Sequence, residues 1–337
     1  MRSGQPTIND VARLAGVSKK TVSRVINRSP LLGPDTRAQV EAVIGQLGYV
    51  PNPQARALAL RRNFLVGLVH DNANAQTVMS VQRGMLEGLR GTEFEMVVRP
   101  LDRDAATMSA DLRHFLERQR LHGVLLLPPI SEDDAVAALC AELGCRYVRM
   151  GSAPLDDAAR SVASDDRAAV RSAVAFLIEQ GHRRIGLIAG PPGFRSGTER
   201  RLGFEDALAD AGLAVAEELV APGRYTFASG LEAAERLLDR VPRPTAIFAC
   251  NDEMAAGVIH AAHDRGLAVP RDLSVVGFDD TPTAAQAWPP LTTVRWPVVD
   301  MARAAARKLI ATPDAPDEPA LFPSALVQRR SVSIPAA

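Results

Sequence analysis

Residues 7–27 read TINDVARLAGVSKKTVSRVIN, two short helical segments joined by a tight turn. Thr7 is placed to cap the first, over residues 8–15. Asp10, three positions on, supplies the returning carboxylate of a capping box. Ile8, Val11, Ala12 and Leu14 fall on or beside one face, and Gly16 provides the left-handed corner that ends the helix. Ser18 caps a second helix over residues 19–27, with Val22, Val25 and Ile26 turned inward. Lys19, Lys20, Thr21, Ser23 and Arg24 are left on its outer face. Two lysines, an arginine and two hydroxyls suit a helix laid in a major groove, where base edges and phosphates offer acceptors. The bland alternative is a surface hairpin with solvated charges.

Charge is divided unevenly along the chain. The whole sequence is neutral, with 39 basic and 39 acidic residues. The first 62 residues hold ten basic and three acidic side chains, a net +7, and leave −7 on the remainder. A basic head on an acidic body points to a polyanionic partner for the head. Two of the three lysines are Lys19 and Lys20.

At 337 residues with 47% hydrophobic content, the chain is expected to hold more than one domain. No run approaches the roughly 20 apolar residues that span a bilayer, so a membrane partner is not expected and the protein reads as cytoplasmic. Cys140, Cys145 and Cys250 form no CxxC pair and read as small buried hydrophobes in a reducing compartment. His260 and His263 share a helix face without a third ligand, so no metal is expected.

After the second helix, RSPLLG is a loop, and a third helix runs from Pro34 to about residue 47, closed by Gly48. Val40, Val43, Ile44 and Leu47 complete a small three-helix core. YVPNP (49–53) cannot continue a helix. QARALALR (54–61) is helix-forming by composition, but two turns are marginal alone in water, so the segment reads as a linker that becomes helical when held. The organisation is then 1–50 helical head, 51–62 hinge linker and 63–337 body.

From residue 64 the pattern becomes strand then helix. FLVGLV, FEMVV, GVLLL and RYVRM are short apolar strands, and RIGLIAG, Leu219-Val220, AIFAC and SVVGF form a second set. Apolar strands alternating with helices imply parallel sheets covered on both faces. Two sets predict an α/β body of two doubly wound subdomains, with ligand between them off the strand ends. Residues 321–334 read as strands returning over the body.

These motifs closely resemble the lactose-repressor (LacI/GalR) family of bacterial transcription regulators. Residues 7–27 match its DNA-reading motif almost without gaps, and Gly48-Tyr49-Val50-Pro51-Asn52 with Ala55-Arg56-Ala57-Leu58 matches its hinge. Further matches, in order, are Gly181-His182-Arg183-Arg184-Ile185, Glu199-Arg200 with Gly203-Phe204, and Asn251-Asp252-Glu253-Met254-Ala255. Val275 to Asp280 and Pro290 to Val294 close the series. The resemblance covers the whole chain. It implies a periplasmic-binding-protein type I body, a homodimer and double-stranded operator DNA as partner. With no leucine heptad after Ile334, a dimer is expected rather than a tetramer.

By resemblance, Lys19, Lys20 and Arg24 meet base edges, and because both residue types donate to guanine O6 and N7 a guanine-bearing half-site is expected, each good contact discriminating by ~1–3 kcal/mol. Thr7, Ser18, Thr21, Ser23 and Asn27 read as caps or phosphate contacts, and Asn52 and Ala55 as hinge contacts. Leu58 matches the leucine that wedges into a central base step and kinks the duplex; its alternative is packing of hinge against hinge. Ala59 stands where some relatives carry lysine, a departure from the family's pattern at a minor-groove position.

The resemblance also implies a small-molecule effector and no cofactor. Arg200, Asn251 and Asp279 match positions that bond ligand hydroxyls, Asp165 matches another at the crossover, and Tyr225 one that stacks on a ring. Asp71, Asn72 and Gln76 could line the other half of the cleft, with Phe194 and Glu253 among the residues that set specificity. The alternative for each is a cap or an ion pair, and for Asp252, which begins a helix, that alternative is preferred. Vicinal hydroxyls suit arginine and carboxylates, and 4% aromatic content speaks for a mono- or disaccharide over a purine. The reading is a repressor of carbohydrate-utilisation genes released from a palindromic operator by a small sugar. A corepressed or protein-partner-controlled global regulator of the same family is the alternative. A plain sugar-binding protein would have no use for the basic head. The chain carries no GxSxG, P-loop or HExxH, and no GxGxxG after the first strand, so an enzyme is not expected.

Overall fold

The computed structural model describes residues 6–26, 29, 31–50, 63–72, 74–312 and 315–335. The chain divides into two compact units, Met1–Phe64 and Leu65–Ala337.

In the first unit, α1 (Ile8–Leu14), α2 (Lys19–Ile26) and α3 (Pro34–Leu47) close around Val11, Ala12, Ala15, Val22, Val25 and Val40. The Asp10 carboxylate accepts the Thr7 N–H at 3.0 Å and the Thr7 hydroxyl at 2.7 Å, which with Arg13 holds its pKa down at about 2. Ser18 Oγ accepts the Thr21 N–H at 3.1 Å and so caps α2. Gly48 ends α3 at φ 60°, a conformation that costs a residue with a Cβ. Residues 51–62, and with them the hinge readings at Asn52, Ala55 and Leu58, lie outside the described residues, as does Asn27.

The second unit alternates β1 (Leu65–His70), α4 (Ala75–Leu89), β2 (Glu95–Pro100), α5 (Met108–Gln119), β3 (Gly123–Leu126), α6 (Asp134–Glu142), β4 (Arg146–Gly151) and β5 (Ser161–Ser164). It continues with α7 (Asp166–Glu179), β6 (Ile185–Ala189), α8 (Arg195–Asp210), β7 (Val220–Pro222), α9 (Phe227–Leu238), β8 (Ala246–Ala249) and α10 (Asp252–Asp264). The last elements are β9 (Ser274–Asp279), α11 (Pro282–Gln286), β10 (Thr292–Arg295), α12 (Val298–Ile310), β11 (Leu321–Phe322) and β12 (Ala325–Val327).

Two six-stranded sheets result, in the orders β11-β5-β4-β3-β1-β2 and β12-β10-β9-β8-β6-β7. The first is parallel throughout, and in the second only β12 runs antiparallel, against β10. Their central strands are wholly buried, as the unbroken apolar runs require when helices cover both faces. The chain crosses between the subdomains after β5, after β10 and between β11 and β12. The second crossing delivers α12 to the first subdomain, where Met301, Ala302, Ala305, Ala306 and Leu309 join its core. Two strands were not read from the sequence, β5 and β10, because both are four residues long and end in hydroxyl or charged side chains. The tail gives only two short strands, one added to each sheet.

Candidate functional site

A cavity of about 560 Å³ opens between the two subdomains. The first contributes Asp71, Asn72 and Gln76 from the loop after β1 and the start of α4. The second contributes Phe194, Arg200, Tyr225, Asn251, Glu253 and Asp279, all at or beyond the carboxyl ends of its strands or on the helices that follow. Strand ends are where an open parallel sheet exposes its backbone groups and helix N-termini to a ligand.

Arg200 is the most constrained of these. Its Nε donates to Asp166 Oδ2 at 2.8 Å and its Nη1 to the Cys250 carbonyl, while the guanidinium lies 3.6 Å from the Phe278 ring centroid. Nη2 remains, 3.8 Å from Asp279 Oδ1. Burial pushes the Asp279 carboxyl up to about 8 although Arg200 pulls the other way. Asp279 (φ 107°) and Tyr225 (φ 59°) both hold left-handed backbone conformations, strain of the kind that accumulates at ligand sites. The Tyr225 hydroxyl is bonded to Ser196 at 3.0 Å and its ring meets Phe194 edge-on at 6.0 Å. Burial, as the largest cause, pushes this phenol upward, so it stays a neutral donor.

Asn251 is nearly spoken for. Its Oδ1 caps α10 by accepting the Met254 N–H at 3.0 Å, and its Nδ2 donates to the Tyr225 carbonyl at 3.0 Å. Asn72 Oδ1 accepts the Asn74 N–H at 2.8 Å and shapes the turn into α4. Asp71 stands 3.7 Å from Arg103, and Gln76 is exposed on the first turn of α4.

Two sequence readings need correction. Asp165 does not face the cavity: it is the exposed N-cap of α7, accepting the Ala168 N–H at 3.1 Å. Its neighbour Asp166 is fully buried and lines the cavity. Asp252 is not a cap but the buried first residue of α10, accepting from Thr281 and Thr293. Trp296, on the crossing after β10, also lines the cavity and was not singled out; its signal in the sequence was only that it is one of two tryptophans.

On the head, Lys19 and Lys20 are exposed on the first turn of α2 and Arg24 is half-buried one turn on. Among the described residues none of the three forms an ion pair. Thr21 and Ser18 hydroxyls lie 2.9 Å apart, part of the cap rather than free contacts.

Residues 7–52 match the family of bacterial regulatory proteins, lacI family, and residues 174–332 the periplasmic binding protein-like domain. The HTH-type transcriptional regulator CelR of Thermobifida fusca is 39% identical over 326 residues, 92% of each chain. The chain belongs to the LacI family. This LacI-family protein is a DNA-binding transcriptional regulator and not an enzyme. Among solved structures it is similar to a CelR–cellobiose complex, with TM-score 0.71, 35% identity and 97% and 99% of the two chains covered. It is similar also to the lac repressor dimer bound to operator and the anti-inducer ONPF, with TM-score 0.81, 27% identity and 98% and 100% covered. Among the described residues no helix is long and apolar enough to cross a membrane.

Proposed function

We propose that this regulator is a homodimeric, cytoplasmic repressor of carbohydrate-utilisation genes, released from a palindromic operator by a small neutral sugar. The observation that carries the reading is the pairing of Arg200 Nη2 with Asp279 at the wall of an interdomain cavity flanked by Tyr225 and Phe194. A guanidinium N–H and a carboxyl side by side offer one donor and one acceptor to adjacent hydroxyls, and aromatic edges supply apolar contact for a pyranose face. A cavity of about 560 Å³ lies within the range of small-molecule sites and suits a disaccharide. Cellobiose, the ligand in the CelR complex, is the first candidate.

Lys19, Lys20 and Arg24 are the base-reading residues, with Thr7, Ser18, Thr21, Ser23 and Asn27 positioning the helix against phosphate. Asn52, Ala55 and Leu58 belong to the hinge that joins head to body, with Leu58 the wedge. Sugar binding changes the angle between subdomains, parts the two hinges of the dimer and lowers operator affinity by the 5- to 150-fold typical of allosteric coupling.

The test is fluorescence anisotropy of the purified protein on labelled DNA from upstream of its own gene, titrated with cellobiose, other disaccharides and monosaccharides at one stated salt concentration. Tight binding released by one sugar is the expected result. Binding unmoved by every sugar would move the assignment to a protein or phosphorylated partner, and binding only with sugar would make it corepressed.

A further inference from the structure

Trp296 occupies the crossing between β10 and α12, and its ring packs against the hydrophobic cores of both subdomains while also lining the cavity. Its indole N–H donates to Ser164 Oγ at 3.0 Å. Ser164 closes β5 and so stands at the first crossing; two of the three passages between subdomains are therefore tied by one hydrogen bond. Ser164 Oγ in turn donates to Asp166 Oδ1 at 2.6 Å, and Asp166 Oδ2 accepts from Arg200 Nε at 2.8 Å. The result is a chain from the cavity cation to both crossings.

Each link is committed. Ser164 and Asp166 are fully buried, Asp166 has one partner on each oxygen, and the Ser164 hydroxyl accepts once and donates once. A buried network of this kind is stable when fully satisfied and costly when one member is withdrawn, so a displaced Arg200 must carry Asp166, and hence Ser164, with it. At the far end, Trp296 packs against the cores of both subdomains, so a shift of its indole bears on the two together.

We infer that Trp296 is a positioning residue that passes ligand occupancy at Arg200, through Asp166 and Ser164, to the angle between the subdomains. The identity of the ligand rests on the sugar reading above; the coupling does not. Two substitutions make it measurable in the full-length protein. Trp288 is the other tryptophan and is largely exposed, so a Trp288→Phe parent leaves Trp296 as sole emitter. In that parent, Asp166→Asn is expected to red-shift Trp296 emission and raise its quenching by acrylamide with no ligand present. Arg200→Lys read in the same way serves if Asp166→Asn does not fold. Unmoved emission in a folded variant overturns the relay.

The functional arm uses Trp296→Phe, which keeps a ring and loses the N–H. The ratio of operator affinities without and with saturating cellobiose is expected to fall at least about tenfold, while cellobiose affinity by calorimetry falls far less. Release as complete as in the parent overturns the proposal. If cellobiose does not bind the parent at all, the sugar assignment fails, and the emission arm still decides the relay.

Discussion

Glu132 reaches across the cleft to Arg195: its carboxylate, on the 3₁₀ turn Ile130–Glu132 of the first subdomain, accepts the backbone N–H at the start of α8 in the second, at 2.9 Å. Phe194, the N-cap residue of α8, makes no side-chain cap of its own, so the helix that carries Arg200 borrows its cap from the opposite subdomain. Arg103 adds a second tie, its guanidinium 4.5 Å from the Phe194 ring centroid. Both contacts depend on a closed cleft.

Removing the borrowed cap should therefore weaken closure rather than folding. Loss of an N-cap acceptor costs about 1 kcal/mol, which is roughly fivefold in an equilibrium constant. Glu132→Ala is expected to weaken effector affinity by about that factor, with Glu132→Gln, which keeps an acceptor oxygen, close to the parent. Calorimetry on the three proteins checks this, and equal affinities would remove the contact from closure.

Asp279 predicts a pH dependence. Burial raises its pKa from 3.8 to about 8, and burial raises that of Asp252 to about 6. The native protein thus holds protons that the unfolded chain releases above about pH 4. Their contribution to stability is complete below that value and is lost as pH rises through the folded pKa values. The Tm of the ligand-free protein should decline between pH 6 and 8, and Asp279→Asn should flatten that slope. A slope equal to the parent's in calorimetric scans would show that Asp279 ionises freely in the folded state.

On the head, Lys20→Ala and Arg24→Ala separate reading from positioning. A residue that contacts a guanine edge should cost about 1–3 kcal/mol and relax preference at one operator position. A phosphate contact should weaken all sequences alike and reduce the salt slope by about one. Binding of a randomised operator library at two salt concentrations distinguishes them, and no change in either quantity would take the residue out of the interface.

Gly84 marks where α4 and α12 touch: a Cβ there would collide with the Val299 carbonyl and press on Ala302. In an exposed helix, alanine for glycine gains up to about 1 kcal/mol. Here overpacking should outweigh that gain and leave Gly84→Ala destabilised by about 1–3 kcal/mol. Thermal unfolding that shows a stabilised variant would mean the two helices separate at little cost.

The head was legible because its signals are local: Thr7 and Asp10, Gly16, Ser18 and the period of Val22 and Val25 each act within one turn. The cavity residues were legible by motif, but their roles slipped at two strand-to-helix junctions. In Asp165-Asp166 and Asn251-Asp252 the first member caps the helix and the second is drawn inside. Moving one position at a helix start turns a side chain by about 100°, and composition does not say which of two adjacent Asp or Asn side chains takes the cap. Trp296 and Glu132 were missed for a different reason. Their importance lies in what they meet across 132 and 63 residues of sequence respectively, a relation that no local pattern records.

The return of α12 and β11 to the first subdomain has a consequence for the order of synthesis. The first sheet lacks its β11 edge, and its core lacks Met301 to Leu309, until the ribosome has made more than 300 residues. The second subdomain has most of its helices and strands before then. The half of the body made first thus stays unfinished until nearly all of the second has been made, and a chain truncated before Val298 leaves the α4 face, with Gly84 and Gly88, open to water. Quality control in the cell would meet such a fragment as an unfinished sheet with an exposed apolar helix, and a nearly complete chain as a folded protein.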